Sequence, residues 1–117
     1  MWHQSGMAKR KMSAAQLAAV ARVFSVLSEP SRLVLLQALR DGPLTVSELV
    51  EASGMKQANV SKHLGMLYQH RLVERRREGI CVRYEIFDPM VFALCKLVCG
   101  KVGRDVRSAA GLFNHEE

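Results

Sequence analysis

Between Thr45 and Asp88 the chain reads TVSELVEASGMKQANVSKHLGMLYQHRLVERRREGICVRYEIFD, and the order of signals within it leaves few ways to fold. Thr45 and Glu48 make a capping box, in which each side chain satisfies the other residue's backbone N–H. A helix therefore starts there, and it stops at Gly54. Val60, Leu64, Leu67 and Tyr68 then recur at spacings of three and four, which predicts a second helix from Gln57 to about His70 with those side chains toward a core. Two strands follow, Leu72 to Glu78 and Ile80 to Phe87, alternating apolar and charged residues about Gly79.

The flanks are helical. Ser13 and Gln16 form another capping box, opening a helix through about Leu27 whose Leu17, Val20, Ala21, Phe24 and Leu27 share a stripe. Ser28 to Ser31 ends it and caps the next, with Pro30 in the first turn where a missing N–H costs nothing. That helix carries Leu33, Leu36 and Leu39 to the break at Asp41-Gly42-Pro43. Asp88 as N-cap and Pro89 as first residue begin the last helix, which should reach about Arg107. The predicted order is α-α-α-α-β-β-α, mainly α with a two-stranded β-hairpin. With 117 residues there is room for one core: a domain over 13–107, a flexible basic arm over 1–12 and a flexible tail over 108–117.

Two helices about a tight turn with a basic hairpin behind them are the parts of a winged helix-turn-helix, whose second helix lays its N-terminal half against base edges. Here that half offers Lys56, Gln57, Asn59, Ser61, Lys62 and His63. Gln and Asn pair with adenine and Lys with guanine, while Ser61 and His63 suit phosphate. The hairpin adds Arg75, Arg77 and, across its turn, Arg83. Strand alternation turns Arg76 to the face opposite Arg75 and Arg77. Lys and Arg outnumber Asp and Glu by 17 to 11, a net charge of +6 that favours a polyanionic partner. Solvated basic surfaces with Glu74, Glu78 and Glu85 as local partners are the plainer explanation of the same residues.

The stretches Leu27-Ser-Glu-Pro-Ser-Arg-Leu33, Val46-Ser-Glu-Leu49, Asn59-Val-Ser-Lys-His-Leu64 and Leu72-Val-Glu-Arg-Arg-Arg-Glu-Gly79 together resemble the ArsR/SmtB family of bacterial repressors, over about Val20 to Val98. The resemblance implies a homodimer built on the first and last helices, bound to an inverted-repeat operator in double-stranded DNA and released by a ligand or oxidant. The residues agree about the dimer. Val91, Phe92, Leu94, Leu97, Val98 and Val102 make the last helix apolar around much of its circumference, more than a small monomer covers.

Two inducer sites implied by the resemblance are missing. The C-V-C of the arsenic and cadmium type is replaced by Val50-Glu51-Ala52 after Glu48-Leu49. The Asp-x-His of the zinc type has no counterpart in a last helix that begins Asp88-Pro89-Met90. Cys95 and Cys99 remain, four apart on one helix face with Cβ atoms about 6 Å apart. A direct disulfide wants about 3.8 Å. The pair therefore suits a soft metal or metalloid ion, a sulfur-bridged modification, pairing across the dimer axis, or simple packing. Cys81, near the hairpin tip, lies too far away to join them. No cofactor is required. The expected function is a homodimeric, sequence-specific repressor released by a thiol-reactive signal. The alternatives are a soft-metal or metalloid-responsive repressor using Cys95 and Cys99, or a winged-helix module with no inducer site. No catalytic constellation, signal peptide or membrane span is recognisable, so the chain is expected to be a cytoplasmic non-enzyme.

Overall fold

The computed structural model describes residues 11–116, with side-chain surroundings through residue 109. All but the last two residues of the expected N-terminal arm lie outside that range. Five helices and three strands follow in order: α1 (Ala14–Leu27), α2 (Pro30–Ala38), β1 (Leu44–Thr45), α3 (Val46–Ser53), α4 (Gln57–Gln69), β2 (Val73–Glu78), β3 (Cys81–Ile86) and α5 (Pro89–Glu116). A 3₁₀ turn, Leu39–Asp41, ends α2 before Gly42.

Both capping boxes form. The Gln16 N–H reaches Ser13 Oγ at 3.2 Å, and the Glu48 N–H reaches Thr45 Oγ1 at 3.1 Å. Glu29, rather than a serine, caps α2, accepting the Ser31 N–H at 3.0 Å ahead of Pro30. Asp88 accepts the Met90 N–H at 2.9 Å, as expected of a cap.

The sheet has the order β1-β3-β2, so the predicted hairpin gains a third strand. Leu44 pairs with Tyr84 and Thr45 with Arg83. Two residues are too few to show alternation, and Thr45 reads from sequence only as a cap; here it does both jobs. Helix α5 continues to Glu116, beyond its expected end near Arg107. No proline follows Arg107, and Ser108, Ala109 and Ala110 are tolerated or favoured in a helix.

The core is built from Leu35 and Leu36 of α2, Leu39 of the 3₁₀ turn, Leu49 of α3, Val60, Leu64 and Leu67 of α4, then Leu72, Val73 and Val91. From α1 only Val26 and Leu27 are buried, while Leu17, Val20 and Phe24 are exposed. The α1 stripe therefore does not face its own chain's core.

Helix α4 ends in a Schellman motif. The Leu72 N–H donates to the Leu67 carbonyl (2.9 Å) and the Arg71 N–H to the Tyr68 carbonyl (3.0 Å), with Leu67 and Leu72 both buried. Arg71 takes the left-handed position, φ 61°, usually given to glycine. That motif turns the chain sharply from α4 into β2 and so fixes the hairpin beside α4.

Candidate nucleic-acid interface

Burial of Val60, Leu64 and Leu67 sets the rotation of α4. Lys56, Gln57, Asn59, Ser61 and Lys62 are consequently all exposed at its N-terminal half. Lys56 is the N-cap and offers the helix no side-chain acceptor, so the first turn's N–H groups are left to solvent or a ligand. Ala58 and Gly65, absent from the expected site, are exposed on the same side as Lys62 at helical spacing. Their small size leaves room for close approach; only the outward periodicity marks them.

His63 departs from expectation. It is half-buried and turned toward α2, where Arg32 Nη1 lies 3.2 Å from its Nδ1. Burial, then the Arg32 charge, hold its pKa below the ordinary imidazole value, with Glu29 opposing and Lys62 assisting. Neutral His63 accepts at Nδ1 and carries its proton on Nε2. The same guanidinium donates from Nε to the Val26 carbonyl at 2.7 Å. Arg32 thus touches the end of α1 and the side of α4 together.

The hairpin register sorts the arginines. Arg75 lies opposite Tyr84 and Arg77 opposite Val82, while Arg76 lies opposite Arg83. Directly opposed residues share a face. Arg75 and Arg77 therefore lie on the face that begins with core-facing Val73. Arg76 and Arg83 occupy the other face, where opposed guanidiniums repel, and diagonal carboxylates relieve them. Glu85 lies 3.2 Å from Arg76 and Glu78 2.7 Å from Arg83. Arg83 also reaches Glu48, at 3.2 Å, on the carboxylate oxygen that accepts the Thr45 N–H. Arg83, expected among the phosphate-facing arginines, thus also ties the hairpin to the start of α3. Arg75 stacks on the Tyr68 ring of α4, 4.0 Å from its centroid. Among the described residues neither Arg75 nor Arg77 has an ion-pair partner.

Glu78 pairs with Cys81, which leaves Gly79 and Ile80 as a two-residue loop. Only Gly79 has positive φ (62°), the requirement of a II′ turn. This places Ile80, 96% exposed, at the tip rather than in a strand.

The cysteines separate as expected, with Cys81 exposed at the hairpin end. Cys95 and Cys99 line one cavity of about 240 Å³ between α2 and α5, with Leu36, Arg40, Val91 and Phe92. Cys99 is exposed and Cys95 half-buried. Burial, then the Cys99 thiol, push the Cys95 thiol upward against the pull of Arg40, so Cys95 is protonated at neutral pH. Among the described residues no third ligand completes a metal site. None of the described helices is long and apolar enough to cross a membrane.

Helices α3 and α4 about a tight turn, with an antiparallel hairpin locked behind them, define a winged helix-turn-helix. Residues 29–75 match the model of the bacterial regulatory proteins of the arsR family. A probable mercury resistance operon repressor of Streptomyces lividans is 43% identical over 77 residues, 66% of this chain and 62% of that protein. The regulator NmtR of Mycobacterium tuberculosis is also 43% identical, over 64% of its length, so the chain spans under two thirds of either relative. Among solved structures, the homodimeric winged helix-turn-helix DNA-binding domain of Mb0332 from Mycobacterium bovis superposes with a TM-score of 0.73 at 34% identity, covering 91% of this chain and 94% of that one. The antimony-specific transcriptional repressor AntR gives 0.74 at 34% identity, covering 84% and 90%. This chain belongs to the arsR family.

Proposed function

We propose that the protein is a homodimeric repressor that binds an inverted-repeat operator and leaves it when Cys95 and Cys99 react. The observation that carries the DNA-binding half is the sorting of charge. Arg76 and Arg83 have carboxylate partners within the hairpin, while among the described residues Arg75 and Arg77 have no ion-pair partner on the face that packs toward α4. That face is read as the contact for phosphates, and the exposed row Lys56, Gln57, Asn59, Ser61 and Lys62 as the contact for base edges and adjoining phosphates.

The dimer is supported by one stripe of α5. Val91 and half-buried Cys95 begin it against the body; Val98, Val102 and Val106 continue it at 52%, 54% and 63% exposure. The stripe outruns the chain that covers it, and the exposed Leu17 and Phe24 of α1 offer a matching surface. Mobility shift with the chain's own promoter region tests the reading. Binding should be lost when Arg75 and Arg77 both become Ala. Binding to no duplex at low salt defeats it, and binding that no reagent releases favours a module without an inducer site.

The signal is read as thiol chemistry, with exposed Cys99 meeting the reagent first and Cys95 close behind it. A soft metal ion is the second reading, favoured by the mercury and antimony repressors among the similar proteins. Two thiols with no third ligand among the described residues suit a linear two-coordinate ion better than a trigonal one. Operator release by persulfide, peroxide, mercury(II) and antimony(III), each compared with Cys95→Ser/Cys99→Ser, separates these readings. Equal release of both proteins would mean that the cysteines only pack.

A further inference from the structure

We infer that Arg32 is a positioning residue for operator recognition, acting as a brace that fixes the angle of α4 to the end of α1. The inference rests on the operator-binding reading above. One guanidinium, rigid and planar, donates to the Val26 carbonyl at 2.7 Å and faces His63 Nδ1 at 3.2 Å. The carbonyl belongs to the last turn of α1, which lacks intrahelical partners. The imidazole belongs to the middle of α4, the helix carrying Gln57, Asn59 and Lys62. Arg32 itself is held in the first turn of α2, where Glu29 and Pro30 fix the start of the helix.

The consequence follows from symmetry. In a two-fold dimer seated on α1 and α5, the separation and tilt of the two α4 helices must match half-sites one helical turn apart. Whatever fixes α4 relative to α1 therefore fixes that match. Packing of Val60, Leu64 and Leu67 buries α4, but aliphatic contacts are non-directional and permit small rotations. Two hydrogen bonds from one planar group set a direction. A lysine at position 32 keeps the charge yet presents no fork, so it cannot hold both partners in the same geometry.

The test uses the full-length protein and two duplexes of equal length: one selected by the wild type from a random-sequence pool, the other its scramble. Arg32→Lys should bind the selected duplex about tenfold more weakly, the loss of one charge-assisted hydrogen bond. It should bind the scramble within about twofold and keep the wild-type salt slope, because the phosphates see the same charge. His63→Leu leaves the Val26 carbonyl covered and should reproduce the loss; His63→Asn, whose amide oxygen can replace Nδ1, should restore most of the preference. Arg32→Lys combined with His63→Leu should be no worse than either alone. Melting temperatures, read alongside, identify any loss due to unfolding, and His63→Leu keeps the question open to test should Arg32→Lys be unstable. An unchanged ratio of selected to scrambled affinity in folded Arg32→Lys and His63→Leu would overturn the brace. If the wild type selects no duplex, it is the operator-binding reading that has failed.

Discussion

Arg71 occupies a backbone conformation that costs a non-glycine residue about 1 kcal/mol, and it does so at the one turn that orients the hairpin. Arg71→Gly removes that strain but loosens the unfolded chain. The expected net gain is about 0.5 kcal/mol, measurable by urea denaturation; destabilisation would mean that the arginine side chain holds the turn. Lys56 presents the opposite trade. As an N-cap with no acceptor it leaves α4's first turn unsatisfied. Lys56→Ser should raise stability by about 1 kcal/mol. If Lys56 meets phosphate, the same change lowers the salt-slope magnitude by about one.

At the scale of the element, the hairpin is half fastener and half contact surface. Arg83 bridges Glu78 and Glu48, whereas Arg77 is exposed and has no carboxylate partner among the described residues. Arg77→Ala should therefore weaken all duplexes alike and flatten the salt slope with no change in melting temperature. Arg83→Ala should lower melting temperature and leave the slope nearly intact. The reverse pattern would exchange their roles. Helix α4 carries its own pH dependence. Because the folded His63 pKa lies below the unfolded value of 6.5, the unfolded chain takes up a proton first as pH falls. The contribution of His63 is complete above pH 6.5 and is lost as pH drops from there toward the folded value. Wild type should lose melting temperature more steeply than His63→Asn between pH 7.5 and 5.5; parallel curves would assign the pH dependence to other groups.

The molecule as a whole is more extended than its length requires. The radius of gyration is 17.9 Å, against about 13 Å for a compact domain of this length. Helix α5 accounts for much of the difference, spanning 28 residues or about 42 Å. A chain that extends an apolar stripe so far from its body is stable only if something covers the stripe. Val102→Glu should weaken dimerisation by at least about 3 kcal/mol, two valines at roughly 1.5 each. Sedimentation equilibrium should then show monomer at micromolar concentration. A dimer of undiminished affinity would place the interface elsewhere.

The helices, their caps and the hairpin were legible in the residues because each depends on neighbours within four positions: Ser13 with Gln16, Thr45 with Glu48, Val60 with Leu64, Arg75 with Arg77. Exposure of Lys56, Gln57, Asn59, Ser61 and Lys62 followed from the same periodicity. Three things were not legible. Strand β1 exists only because Thr45 lies beside Arg83, His63 turns inward only because Arg32 stands across from it, and Arg83 reaches beyond its hairpin partner Glu78 only because Glu48 comes within reach. Each pairing joins residues more than thirty positions apart, a distance over which local pattern carries no information. Local sequence thus determined the outward row of α4 and the alternation of the hairpin, but not the exposure of the apolar α1 stripe. Tertiary structure alone decided which of those side chains are engaged by distant elements, as Arg83 is by Glu48 and His63 by Arg32, because hydrogen bonds and ion pairs act at contact distance and contact is set by packing.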